Sequence, residues 1–313
     1  MSRGSSRRKR GRAARRSQAL QVESLASDGG VDSDADVPPV GPADLREGQW
    51  PISTGMVALE RDPYSDDTWT VLVNGVPSSS VNLSDPRHLD FEYMRWMALV
   101  LGMFFGREDR VRALHLGGGA AAFPRYVNAE FPESRQVVVE LDARLNELVR
   151  GWFDLPRAPF LRLRSGDALD VVPTLMAGSR DVVVRDVFAG DTTPDGFVDS
   201  GFVAEVARVL APDGLYLLNV GDGPELNNVR RELPTLKSTF GNIIAVSDPA
   251  VFKGRRRGNI VMAASNRPFG DTAKLVKGLL SDPLPAQLIE GAELDARFGL
   301  ADSRTKDRGQ SMR

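Results

Sequence analysis

The stretch VRALHLGGGAAAFPRYVNAEFPESRQVVVE, residues 111–140, decides the fold. An apolar run over 111–116 stops at Gly117, Gly118 and Gly119. A helix-length segment follows, from Ala120 to about Phe131, and a second apolar run, 136–139, closes on Glu140. Strand, glycine turn, helix, strand and acid are the parts of a nucleotide-binding βαβ unit in their usual order. Glycines let the backbone approach a ligand with no Cβ in the way. An acid about twenty residues on lies where ribose hydroxyls are bound.

Downstream of this unit the alternation is regular. The pattern predicts a helix over 142–153, a strand over 160–164 leading into Gly166-Asp167-Ala168, and a short helix over 171–176. A strand over 181–188 opens into a loop, 189–195, before a helix over 199–210, a turn at 212–214 and a strand over 215–220. A helix over 224–240 must be kinked or split by Pro234. Strands over 242–247 and 259–265 are joined by a basic turn, 253–257, and form an antiparallel edge pair that closes the sheet. Near-continuous apolar strands separated by helices indicate a parallel sheet covered on both faces.

Upstream, short β-like runs at 56–60, 68–74 and 81–83 are separated by turn signals at 62–67 and at Asn74-Gly75. They predict a small antiparallel lobe. Residues 89–105 place Leu89, Tyr93 or Met94, Met97, Val100, Leu101 and Phe104 on one helical face. Beyond Asn266, helices are expected over 272–280 and 287–298, followed by a polar end. The chain thus reads as a tail over 1–50, a small β lobe over 51–88, a Rossmann-like domain over 89–266, and a C-terminal helical segment with a polar tail over 267–313.

Composition narrows the chemistry. Among 313 residues there is no cysteine, which excludes disulfides, thiolate catalysis and cysteine–zinc sites. The only two histidines, His88 and His115, do not make a metal centre, and no metal is expected. His115 lies inside a strand and reads as a core residue, whereas His88 sits in a polar turn. The net charge of −2 implies neither nucleic acid nor membrane, and the longest apolar run, 96–105, is too short to span a bilayer. A soluble, cytoplasmic protein is expected. Residues 1–16 are half Lys or Arg and 24–47 turn acidic, the composition of a disordered tail. Its basic part offers nucleic acid no more than weak phosphate contacts.

Four candidate groups fall at the carboxyl ends of predicted strands: the three glycines, Glu140, Asp167 and Asp186. A glycine turn alone is commonly a tight turn, and a lone strand-end acid is commonly a helix cap. Four in register on successive strands point to a nucleoside site. GGGAAAF lacks the third glycine of a pyrophosphate-binding turn, so the ligand is one held through ribose and adenine.

The motifs LGGG, VVVELD, SGDALD and DVVVRDVF resemble those of the polyamine aminopropyltransferases, or spermidine synthases. The resemblance runs over roughly residues 54–265. It is strongest to the spermidine synthase-like proteins of high-GC bacteria, in which GGGA and FPRY replace the usual glycine loop. It implies the α/β, Rossmann-like fold of class I S-adenosylmethionine-dependent methyltransferases with an N-terminal antiparallel β lobe. It also implies decarboxylated S-adenosylmethionine or S-adenosylmethionine as co-substrate, a small amine as acceptor, and a homodimer. Glu140 would bind the ribose hydroxyls, and Asp167 with the Ala168 backbone would recognise adenine. Asp186 would be the catalytic acid, assisted by Asp191 and Tyr93. The sequence departs from the family at the amine end. The acid that follows the glycines and disfavours the intact cofactor is Ala120, and the family's Tyr-His-Glu is Tyr93-Met94-Arg95. Three functions follow: aminopropyl transfer in polyamine synthesis, methyl transfer from the intact cofactor, and a silent nucleoside-binding scaffold.

Overall fold

The structure, a computed structural model, describes residues 45–190 and 192–299. The expected tail over 1–50 therefore lies almost wholly outside the described residues, as does the polar end over 302–313. Four antiparallel strands form the lobe in sequential order: β1 (Gly48–Ile52), β2 (Gly55–Arg61), β3 (Thr68–Val73) and β4 (Val76–Asn82). Alternation buries Val57, Leu59, Trp69, Val71 and Val81 on one face. The β3–β4 turn uses Asn74 and Gly75 at φ 52° and 78°, the pair of left-handed conformations that a two-residue hairpin needs. Two features escape the sequence pattern. β1 carries a proline and sits at the sheet edge, and β4 begins five residues before the expected 81–83 because its buried positions are serines.

Helix α1 (Glu92–Phe104) leads into the larger sheet, which follows the expected alternation. Its elements are β5 (Arg112–Leu116), α2 (Ala122–Glu130), β6 (Arg135–Glu140), α3 (Ala143–Trp152), β7 (Leu161–Ser165), α4 (Ala168–Val171) and β8 (Arg180–Arg185). There follow α5 (Ser200–Val209), β9 (Leu210–Asp222), α6 (Asn227–Thr239), β10 (Asn242–Ser247), α7 (Pro249–Phe252) and β11 (Gly258–Ser265). The chain ends with α8 (Ala273–Leu280), β12 (Gln287–Glu290) and α9 (Gly291–Phe298). The strand order is β12-β10-β11-β9-β8-β5-β6-β7. Strands β5 to β9 pair in parallel, and β9, β11, β10 and β12 pair antiparallel. This is a Rossmann-like class I methyltransferase fold with an antiparallel lobe. One apolar cluster joins the lobe, α1, α2, α3 and α8 to one sheet face, and a second joins α4, α5, α6, α7 and α9 to the other.

Several expectations are corrected. The helix expected over 287–298 divides at Gly291, which takes φ 52°, into β12 and α9. Strand β12 pairs outside β10, so β10 and β11 are not the edge pair; four residues are too few to carry a periodic signal. The connection between β10 and β11 contains one helical turn, α7, capped by the Asp248 carboxylate. The turn expected at 212–214 is a bulge inside β9: Arg180 pairs with Leu210 and Val182 with Leu215, leaving four residues extruded opposite one. Finally, α6 passes through Pro234 without being split, and the helix expected over 171–176 is the turn α4 followed by a 3₁₀ turn, Val172–Thr174.

Candidate active site

The chain runs from β5 outward through β6 to β7, then returns to lay β8 on the other flank of β5. At such a reversal the loops leaving neighbouring strands diverge and open a crevice. Gly117 leaves β5 and Asp186 leaves β8 at this point, and the Asp186 N–H donates to Leu116 O at 2.9 Å. A cavity of about 1010 Å³ opens here, lined by both strand ends, by Glu140, Asp167 and Ala168, by α1, and by Pro77 and Ser79 of the lobe.

The three glycines are required by the protein's own packing. A Cβ on Gly117, at φ +85°, stands 2.2 Å from Asp186 O; one on Gly118 stands 2.8 Å from Val138; one on Gly119, at φ +47°, stands 2.6 Å from Ser79 Oγ. Both the β5–β8 crossing and the lobe thus press on this loop. Gly117→Ala combines a left-handed conformation with overpacking against backbone. It is expected to cost about 2–4 kcal/mol of stability. It is also expected to push Asp186 out of place, read as a lowered denaturant midpoint together with lost activity.

The Glu140 carboxylate closes on the same loop. Its Oε2 accepts the Gly118 N–H at 2.8 Å and the Gly119 N–H at 3.4 Å, and its Oε1 accepts the Asp142 N–H at 3.1 Å. Both lone pairs of Oε2 are thereby engaged, and Oε1 keeps one for a further donor. Next to it, Leu141 is 61 % exposed on the cavity wall, a large apolar side chain that the packing leaves uncovered. Asp167 caps α4, its Oδ1 accepting the Leu169 N–H at 2.8 Å. The four strand-end groups therefore share one cavity, and Asp167 also performs the capping role that such acids often have.

At the other end, α1 carries Tyr93 to Asp186. The Tyr93 hydroxyl donates to Asp186 Oδ2 at 2.8 Å, and Asn219 Nδ2, from β9, donates to Oδ1 at 3.0 Å. Burial pushes the Asp186 carboxyl above its ordinary value, opposed by these two hydrogen bonds and by the Arg185 charge. Burial, then the Asp186 charge, holds the Tyr93 phenol well above its own, so it stays a donor. Glu92 also lines this end, and its Oε1 accepts from Asn259 Nδ2 at 3.4 Å. Phe91, Met94 and Met97 add apolar wall to the cavity.

Asp191 lies outside the described residues. Ala120 is fully buried, and its N–H donates to Ser79 Oγ at 2.9 Å. His115 is buried in β5 with Nε2 against Gln136 Oε1 at 2.9 Å. Burial lowers its imidazole to about 4, which leaves it neutral. Among the described residues no cluster of His, Cys, Asp or Glu is placed to hold a metal ion, and no helix is long and apolar enough to cross a membrane. Sequence reasoning missed Asn219, Glu92 and Leu141. Asn219 left one signal, an amide inside the otherwise apolar run of 215–220.

No family model matches the chain. A probable spermidine synthase from Corynebacterium glutamicum aligns with a TM-score of 0.78 and 38% sequence identity, over 83% of this chain and 96% of that one. A polyamine aminopropyltransferase of Chromobacterium violaceum is 28% identical over 146 residues, which are 46% of this chain and 54% of the relative. The eEF1A lysine and N-terminal methyltransferase of Homo sapiens is 28% identical over 158 residues, 47% of this chain and 21% of that protein. The chain spans about half, or less, of the length of these two curated relatives. Identity at this level across nearly the whole of a solved relative, on the same fold, places the chain in the polyamine aminopropyltransferase (spermidine synthase) family.

Proposed function

We propose that the protein transfers an aminopropyl group from decarboxylated S-adenosylmethionine to a small amine, with release of methylthioadenosine. The observation that carries this reading is the half-buried Asp186 carboxylate, held by Tyr93 and Asn219 at the sheet's reversal point and sharing a cavity with the Glu140 and Asp167 carboxylates. The donor fits the cavity in its parts. Glu140 Oε1 keeps a free lone pair for a ribose hydroxyl, Leu141 offers an apolar face to adenine, and Asp167 with the Ala168 backbone addresses the adenine edge. The donor, when bound, supplies a carbon activated by a positive sulfur. Asp186 orients the amine and takes its proton, and Tyr93 holds the carboxylate in place. Asp191 is assigned an assisting role from its position in the same loop.

Methyl transfer from intact S-adenosylmethionine is the second reading, favoured by one residue. Ala120 is uncharged and buried, so no acid follows the glycines to repel the cofactor's carboxylate. Against it stand Glu92 and Asp186 at the amine end, two acids that disfavour an added carboxylate there. Calorimetric titration separates the two. The decarboxylated donor is expected to bind at least about tenfold more tightly, about 1.4 kcal/mol. Preference for the intact form transfers the assignment to methylation, and binding of neither leaves a scaffold.

A further inference from the structure

The Asn219 side chain is buried, 2 % exposed, and lines the cavity beside Asp186. Its orientation is dictated by its neighbour. A carboxylate oxygen only accepts, so the amide must turn Nδ2 toward Asp186, as the 3.0 Å contact shows. Oδ1 is then left without a hydrogen-bond partner among the described residues. A buried carbonyl oxygen without a donor is costly, and it is found where a ligand supplies one. Asp186, just past the end of β8, and Asn219, on the adjacent β9, thus stand side by side on the cavity wall, each with an acceptor oxygen.

We propose that Asn219 is a specificity-determining residue that receives the second N–H of the nucleophilic nitrogen, so that the site takes primary amines and uses each nitrogen once. A neutral primary amine has two N–H bonds and one lone pair. With one N–H directed at Asp186 and the other at Asn219 Oδ1, the lone pair is what remains to meet the carbon beside sulfur. The lone pair forms the new C–N bond, the C–S bond breaks, and its electron pair stays on sulfur as a neutral thioether. The ammonium proton passes to Asp186. A secondary amine has one N–H. Its added carbon meets Oδ1 and leaves that oxygen buried and unpaired. The product of one transfer is itself a secondary amine at the reacting nitrogen and is rejected in the same way.

This inference rests on amine transfer as proposed above and holds for either donor. The test compares kcat/KM for putrescine and for 1,4-bis(methylamino)butane, in which both nitrogens are secondary, using the full chain and the donor selected by calorimetry. Wild type is expected to prefer putrescine by about 10- to 100-fold. In Asn219→Leu the preference falls to within about threefold, and Asn219→Ser, which keeps an acceptor oxygen, retains more of it. An unchanged preference in Asn219→Leu overturns the assignment. Product analysis of wild type under excess donor gives a readout that needs no variant. One transferred group per nitrogen is expected, and a doubly substituted nitrogen overturns the proposal. Absence of transfer to either amine by wild type overturns the amine-transfer reading itself, an outcome distinct from equal use of both amines.

Discussion

Asp186→Asn is expected to lower kcat by about 10²–10⁴-fold, with donor affinity held within about threefold. The carboxylate is asked to take the proton of the attacking amine, which an amide cannot do. The substitution also turns an –NH₂ toward either the Tyr93 hydroxyl or the Asn219 Nδ2, both of which are donors in the structure. Donor affinity is spared because the ribose and adenine contacts are proposed for Glu140, Leu141 and Asp167, other residues of the same cavity. Single-turnover rates beside calorimetry of donor binding make the separation. Turnover within about tenfold of wild type removes Asp186 from the proton-accepting role, the full effect expected of a positioned base being larger. A pH profile reports the same group. Burial raises Asp186, and the ionised form is the active one, so kcat/KM falls as pH drops through that raised value. The acid limb therefore lies above that of an exposed carboxylate. Tyr93→Phe removes a donor that favours the ionised form and shifts the limb further up.

The largest stability effect is expected behind the site. Arg185, the residue before Asp186, is fully buried and points to the opposite sheet face. Its Nη1 and Nη2 meet the Glu232 carboxylate of α6 at 2.8 and 2.9 Å, and Nη1 also donates to Phe197 O at 3.2 Å. Glu232→Leu leaves an unpaired guanidinium in the apolar cluster and is expected to cost about 3–5 kcal/mol. For a chain of this size that is a fall of about 5–8 °C in Tm, read by calorimetry. Arg185→Met combined with Glu232→Leu removes both charges and is expected to recover most of the loss. A double variant no more stable than Glu232→Leu would show that the pair contributes more than mutual neutralisation. Phe197 lines the cavity, so the single variant also loosens one of its walls.

The sequence makes the frame of this site legible and hides its fastenings. The order of β5, glycine turn, α2 and β6 is written in contiguous residues, because a strand and a helix each leave a periodic trace. The groups that leave β5, β6, β7 and β8 are legible for the same reason, since a parallel sheet aligns its carboxyl ends. Asn219 could not be tied to Asp186 in advance, because 33 positions separate them and only the β8–β9 pairing brings them together. The Arg185–Glu232 pair spans 47 positions and carries no local signature. Strand β12 is too short for periodicity, and β4 hides behind three consecutive serines. Each miss is a long-range contact or a segment shorter than the period needed to read it.

Two of the hidden fastenings join the lobe to the donor loop. Ser79 of β4 receives the Ala120 N–H, and the Asp142 carboxylate, which caps α3, accepts both the N–H and the hydroxyl of Thr54 at 2.7 and 2.9 Å. A side chain longer than Ser79 would strike Gly119, and a bulkier Ala120 would have to find room under the lobe. The lobe and the nucleoside sheet are thus not free to drift apart in descent. Positions 79 with 119–120, and 54 with 142, should substitute as pairs among related chains. A graft of this lobe onto another nucleoside-binding sheet would fail unless both pairs travelled with it.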